Sequence, residues 1–366
     1  MSSTRIYRFL LAGGGTGGHI YPALAVAQQI KLLKPESEIL FVGTKKKIES
    51  RVVPQYGFDF RSIWISGFSR KLTMENILFP LKVIVSMIQS LMIVMKFKPR
   101  VAIGSGAYVS GPSIWASSVF GSKIILLEQN SYPGITNRIL EKRAEEIHIT
   151  FDESKKYFRE HKKLKLTGNP VRVNLKMIER SEALKQFDLA TDKKTILILG
   201  GSGGARSIND AIANSINELV ENNIQVIWQT GELYYEGNKK YNNNMIRVLP
   251  FIDDMSAAFS ACDLLIARAG ATTITEVSFL GIPVVFVPSS NVAANHQYKN
   301  AKAISDQSAA ILIEDKNLKS SLVKTVIGVI NDDKKLDELK KNISAFAKPN
   351  AALVIAENAI KMAEIV

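Results

Sequence analysis

The sequence predicts an α/β protein built from two doubly wound parallel sheets, and three observations predict it. An apolar strand runs into a glycine-dense turn that opens a helix at Phe9–Ala12 with Gly13-Gly-Gly-Thr-Gly-Gly-His19. The same arrangement returns about half a chain later, at Thr195–Leu199 with Gly200-Gly-Ser-Gly-Gly-Ala205. Both turns lie within alternating strand and helix segments, the rhythm of a parallel sheet with crossover helices. The 366 residues, 46% of them hydrophobic, are enough for two cores.

In chain order, strands are expected near 6–12, 38–42, 101–103, 123–127 and 147–149, with a helix over 19–34. Thr167-Gly-Asn-Pro-Val-Arg172 reads as a turn-rich hinge. The rhythm then restarts with strands near 195–199, 224–228, 246–248, 263–266 and 283–287, and helices beginning near 205, 254, 273 and 296. Residues 349–366 carry Ala, Val and Ile on one side, a helix expected to pack back on the first domain. The domains are drawn as 1–168 with 347–366, and 169–346. Glycine lets backbone N–H groups approach a phosphate, and the following helix points its positive end at the same anion. Two such units read as Rossmann-like domains facing each other across a cleft, which suits an enzyme of activated sugars better than one binding a single cofactor.

The single cysteine, Cys262, leaves no internal disulfide and no cysteine metal cluster, as expected of a reducing compartment. The apolar stretch after Arg5 and Arg8 is too short for a secretory signal. The net charge of +13 is unevenly placed: residues 1–170 hold 25 Lys and Arg against 12 Asp and Glu, and the remainder is balanced at 22 each. A one-sided basic excess fits nucleic acid, an anionic membrane surface or simple solubility.

Residues 77–95 interrupt the pattern with 19 residues carrying one charge, Lys82. Three readings stand: a buried core helix, a membrane span, or an apolar surface lying on an anionic leaflet between Arg70, Lys71, Lys96, Lys98 and Arg100. Pro80, Lys82, Ser86, Gln89 and Ser90 argue against a span.

Gly13, Gly15 and Gly18 satisfy G-x-G-x-x-G, but a nicotinamide site wants an acidic residue ending the second strand. Here Ile39–Val42 runs into Gly43-Thr-Lys-Lys-Lys47, so an oxidoreductase is disfavoured. His19 closes the turn at a helix start, where its cationic form is disfavoured and a neutral base is available. In the second half, polar residues cluster at strand ends, where open α/β sheets bind ligands. Ser202 offers a hydroxyl to a diphosphate. In Phe251-Ile-Asp-Asp-Met255 the aspartates read as helix caps, leaving the Ile252 backbone to read a base edge. Arg268-Ala-Gly-Ala-Thr-Thr-Ile-Thr-Glu276 opens another helix, with Glu276 placed either for ribose hydroxyls or as a first-turn charge. Asn295-His-Gln297 can grip sugar hydroxyls. No D-x-D is present, so amides, hydroxyls and arginine must meet the leaving diphosphate, and Arg172 in the hinge suits that work.

This ordered series, extended by Tyr21-Pro22, Gly106-Ala-Tyr-Val-Ser-Gly-Pro112, Glu128-Gln-Asn130 and Gly168-Asn-Pro-Val-Arg172, resembles the membrane-associated N-acetylglucosaminyltransferases of peptidoglycan synthesis over essentially the whole chain. The resemblance implies the GT-B glycosyltransferase architecture. It also implies inverting, metal-independent transfer of N-acetylglucosamine from UDP-N-acetylglucosamine to the C4 hydroxyl of the muramyl sugar of lipid I, giving lipid II, with no cofactor. Ser202 and Arg172 would contact the diphosphate and Ile252 the uracil. Ala271, Thr272, Thr273, Ile274, Thr275 and Glu276 would meet diphosphate and ribose, and Gln297 the sugar. Thr16, Gly17, Gly18 and Asn130 would approach from the first domain. His19 leads as the group assisting the acceptor hydroxyl, with Tyr108 and Glu128 secondary. The implied partners are these two substrates and the anionic cytoplasmic face of the membrane, held peripherally, and no nucleic acid. Three alternatives remain at this stage: a synthase moving sugar onto diacylglycerol, a UDP-N-acetylglucosamine 2-epimerase, and a non-catalytic nucleotide-sugar sensor.

Overall fold

The computed structural model describes residues 6–67, 77–290 and 295–365. Two compact units emerge, residues 1–173 with 348–366, and residues 174–347.

The first unit holds a parallel sheet of β1 (Arg8–Ala12), β2 (Glu38–Gly43), β3 (Asp59–Ser62), β4 (Val101–Gly104), β5 (Lys123–Glu128), β6 (Glu146–Ile149) and β7 (Leu164–Leu166). The order is β3-β2-β1-β4-β5-β6-β7, so the strand order reverses between β1 and β4. In doubly wound sheets the loops leaving the carboxyl ends of two such strands diverge, which is where ligands bind. The central strands are apolar throughout because both faces are covered. The sequence reading missed β3 and β7. Both are short edge strands without an apolar run.

The C-terminal helix, Ala351–Ile365, lies in the same core as helix Gly17–Leu33. Ala352, Ala356, Ala359 and Ala363 keep its buried face small, allowing close approach. Asn358 donates to Glu146 at 2.8 Å and Arg100 to the Ala363 carbonyl at 2.9 Å, fixing the helix across the sheet.

Helix Phe79–Phe97 is amphipathic with its polarity reversed. Lys82, Ser86, Ser90 and Val94 face the domain, while Leu81, Ile84, Ile88, Met92 and Met95 are each about half exposed or more. Lys82 donates to the Ser66 hydroxyl at 2.9 Å and lies over the Trp64 ring, Gln89 accepts from the Trp64 N–H at 2.7 Å, and Ser90 meets Ser113 at 3.2 Å. The core-helix reading therefore holds for the polar face only. One expected flanking cation needs correction: Arg100 is half-buried and tied to Ala363, while Lys82, the one charge within the segment, is buried. Lys96 and Lys98 are exposed, whereas Arg70 and Lys71 lie outside the described residues.

The second unit contains β8 (Thr195–Leu199), β9 (Gln225–Gln229), β10 (Ile246–Leu249), β11 (Leu264–Ala267), β12 (Val284–Phe286) and β13 (Ile311–Leu312), all parallel, in the order β10-β9-β8-β11-β12-β13. Its order reverses between β8 and β11. Trp228 is fully buried on β9 and its indole N–H donates to Asn209 at 3.0 Å, so the largest core side chain has its polar atom satisfied.

Candidate active site

In the first unit the glycine turn leaves β1 at the strand-order reversal, and helix Gly17–Leu33 starts within it. Thr16 is exposed, with Gly17 and Gly18 half-buried beside it. Behind the turn stands a residue the sequence reading did not single out. Glu49, completely buried, accepts from the Gly15 N–H at 2.9 Å, the Thr44 N–H at 2.9 Å and the Thr44 hydroxyl at 2.6 Å. A methyl on Gly14 would lie 2.4 Å from the Glu49 carboxyl carbon, so this glycine is required by close approach. The acidic partner absent from the end of β2 thus arrives from the next helix, Ile48–Gln55, and grips the turn from inside.

His19 is held from the neighbouring loop after β4. Its Nδ1 lies 2.8 Å from the Ser105 carbonyl and 3.2 Å from Gln129 Oε1. Both are acceptors, since Gln129 Nε2 itself donates to Ser105. Nδ1 therefore carries the proton and donates, and Nε2 is the basic nitrogen of the neutral ring. The Ser105 hydroxyl returns a bond to the His19 carbonyl, so ring and backbone are anchored by one residue.

Glu128 ends β5 and is buried. Its carboxylate accepts from the Asn130 N–H at 3.0 Å, the Gly134 N–H at 3.0 Å and Asn137 Nδ2 at 2.8 Å. Burial pushes this carboxyl above the ordinary carboxylate range, an effect opposed by those bonds and by one from the Asn130 side chain. In this arrangement Glu128 shapes the loop that presents Asn130. Tyr108 lines the turn, its hydroxyl 3.8 Å from where a Gly15 methyl would stand. Arg172 falls in the first unit, its guanidinium 4.2 Å from the centre of the Tyr21 ring.

In the second unit the candidate residues flank the reversal between β8 and β11. Gly201, Ser202 and Gly203 are exposed after β8. A methyl on Gly204, at φ +74°, would lie 2.0 Å from the Thr230 carbonyl oxygen, so the turn sits directly on the end of β9. After β11, helix Ala271–Leu280 begins behind Gly270. Ala271, Ile274, Thr275 and Glu276 are buried, whereas Thr272 and Thr273 are half-buried. Thr275 bonds back to the Ala271 carbonyl at 2.8 Å. The Thr272 hydroxyl is buried with no hydrogen-bond partner among the described residues. A buried unpaired hydroxyl at a helix start is a candidate contact for a ligand acceptor. Arg268 braces the loop, donating to Asp315 at 2.8 Å, Ser207 at 2.7 Å and the Val287 carbonyl at 2.9 Å.

Asp254 caps helix Met255–Ala261 by accepting from the Ala257 N–H at 3.0 Å, the capping role read from the sequence. The expectation that the Ile252 backbone stays available needs a correction on its donor side. The Ile252 N–H donates to Gln229 Oε1 at 2.9 Å, which leaves its carbonyl to meet a base edge. Gln297 Oε1 accepts from the Ser289 N–H at 2.9 Å, so its amide oxygen holds a loop and its NH2 is the end directed elsewhere.

Comparison with known proteins identifies the family of the chain. Residues 9–149 match the glycosyltransferase family 28 N-terminal domain, and residues 195–362 match the glycosyltransferase family 28 C-terminal domain. A Flavobacterium psychrophilum protein named UDP-N-acetylglucosamine--N-acetylmuramyl-(pentapeptide) pyrophosphoryl-undecaprenol N-acetylglucosamine transferase is 45% identical over 361 residues, covering 98% of each chain. Among solved structures, Acinetobacter baumannii MurG superposes with a TM-score of 0.72 at 27% identity, covering 97% of this chain and 99% of that one. A UDP-N-acetylglucosamine 2-epimerase reaches 0.66 over 99% and 98% of the two chains, at 12% identity, and shares the fold alone.

Proposed function

Because the chain belongs to glycosyltransferase family 28, among its peptidoglycan N-acetylglucosaminyltransferases, we propose that it transfers N-acetylglucosamine from UDP-N-acetylglucosamine to the C4 hydroxyl of the muramyl sugar of lipid I, forming lipid II. One observation supports the chemistry beyond kinship: His19 is locked with Nδ1–H on the Ser105 carbonyl, so Nε2 is its proton acceptor. A sugar hydroxyl is weakly acidic and needs a positioned base as it attacks. Nε2 takes the hydroxyl proton while the oxygen bonds to the anomeric carbon. The bond from that carbon to the diphosphate breaks, UDP leaves with the electron pair, and configuration inverts from α to β.

The donor side rests on the second unit. Exposed Ser202 and the Gly201–Gly203 backbone lie on one side of the strand-order reversal, and Thr272 and Thr273 on the other, so a diphosphate placed there meets amides and hydroxyls from both. Arg172 lies in the first unit, stacked on Tyr21, and is the cation that the family resemblance assigns to the diphosphate. Ile252 reads the uracil, Glu276 the ribose and Gln297 the sugar. Glu128 acts by holding Asn130, and Tyr108 by lining the turn.

The outward stripe of helix Phe79–Phe97, with Lys96 and Lys98 at its end, suits an in-plane seat on an anionic cytoplasmic leaflet, where the lipid-borne acceptor lies. The inward polar face disfavours a span, because crossing would strip Lys82 and the serines from their partners.

The test is incubation with labelled UDP-N-acetylglucosamine and a short-chain lipid I analogue in the presence of a chelator. Label appearing on the lipid supports the reading. An altered sugar nucleotide without transfer to lipid would replace it with the epimerase.

A further inference from the structure

The second unit carries a buried side chain that none of the proposed donor contacts uses. Gln229 is the last residue of β9, 4% exposed, and β9 lies between β8 and β10 in the sheet. It therefore stands beneath the loops leaving both neighbours. Its Nε2 donates to the Gly201 carbonyl at 3.1 Å, and its Oε1 accepts from the Ile252 N–H at 2.9 Å. The Gly201 carbonyl also accepts from the Gly204 N–H at 3.0 Å, so the amide grips the oxygen that closes the glycine turn. The next residue repeats the link: the Thr230 N–H donates to the Leu249 carbonyl at 3.0 Å, and Gly204 packs on the Thr230 carbonyl.

We propose that Gln229 is a positioning residue that joins the base-reading turn at Ile252 to the diphosphate-facing turn at Gly201–Gly203, so that filling either subsite strengthens binding at the other. This rests on the reading that the second unit holds a UDP-sugar. A planar amide bonded at both ends transmits a shift of one backbone segment to the other, because neither bond can lengthen far without leaving a buried polar group unpaired. Base and diphosphate then bind as a unit, and the preference for UDP over uridine exceeds what the diphosphate contacts alone provide.

Calorimetry with uridine and with UDP tests this on wild type, Gln229→Met and Gln229→Asn. Methionine keeps the length and removes both bonds; asparagine keeps the amide but is too short to span both partners. Coupling of this kind predicts that the ratio of UDP to uridine affinity falls by about fivefold or more in both variants. The KM for the donor should rise while kcat at saturating donor stays within about twofold. Loss of uridine and UDP binding by one common factor, or no loss of either, overturns the proposal, since a residue that only supported the fold would leave the ratio unchanged. Failure of the wild type to bind either compound is a separate outcome, and overturns the donor assignment together with the coupling.

Discussion

Gly13–His19 and Gly200–Ala205 each follow a buried strand at the reversal point of a parallel sheet, yet different groups stand behind them. A carboxylate, Glu49, reaches into the first and already accepts the Gly15 N–H, while a neutral amide, Gln229, braces the second by its carbonyl. The outer residues of the second turn, Gly201 to Gly203, are exposed. One motif therefore serves two ends. The first turn is a mount that sets the position of a histidine, and the second, on the proposed reading, is a surface for an outside anion. Glycine spacing alone does not separate them, because what distinguishes them is the residue that packs against the turn from elsewhere in the chain.

Removing the mounted group should break the comparison most severely. His19→Ala is expected to lower kcat about 10²- to 10⁴-fold, the usual contribution of a general base, with UDP affinity unchanged. Transfer assays beside calorimetry check both halves, and a matching loss of UDP affinity would move His19 to the donor side. Next is Glu49→Ala, which leaves two buried donors of Thr44 and the half-buried Gly15 N–H without their acceptor, at a cost of about 1–3 kcal/mol for each buried one left unsatisfied. Denaturant melts should show a marked loss of stability, partly restored by formate, which replaces the missing carboxylate. A stable variant that ignores formate would mean that the first turn stands without an internal anion.

The same tertiary dependence explains what the sequence disclosed. The doubly wound plan was legible because central strands are apolar on both faces and the glycine turns punctuate them. The edge strands β3, β7 and β13 were not, being two to four residues long. The site residues of the second unit were legible as polar groups at strand ends, whereas Gln229 reads as an ordinary strand residue until β8 and β10 are seen on either side. Glu49 follows three lysines and meets Gly15 from 34 residues away, a contact no local pattern announces. Residues 77–95 showed their apolar bulk but not their direction, since periodicity locates the serines on one face without saying which face the domain covers.

A smaller change sharpens the donor side. Thr272→Val replaces a buried hydroxyl that has no partner among the described residues with an apolar group of similar shape. The protein without ligand should be as stable or slightly more so, because an unpaired polar atom is removed. UDP should bind several-fold more weakly, by about 1 kcal/mol for one lost hydrogen bond. Melting and calorimetry on the same variant report both. Reduced stability with unchanged UDP binding would assign the hydroxyl to the fold.

The smallest effect concerns the buried carboxylate at the end of β5. Burial raises the Glu128 carboxyl above its ordinary value of 4.5, so the folded chain holds that proton to higher pH than the unfolded chain. Its contribution is therefore fully present below the unfolded value and is lost as pH rises through the folded one. Glu128→Gln cannot ionise, so the stability of wild type relative to this variant should decline as pH rises from about 4 toward neutrality. Four donors oppose that trend, the backbone and side chain of Asn130, the Gly134 N–H and the Asn137 amide, and they favour the ionised form. The sign of the measured slope decides which influence is larger. A wild type that gains on the variant as pH rises would show hydrogen bonding outweighing burial, making Glu128 an anionic clamp of the same kind as Glu49.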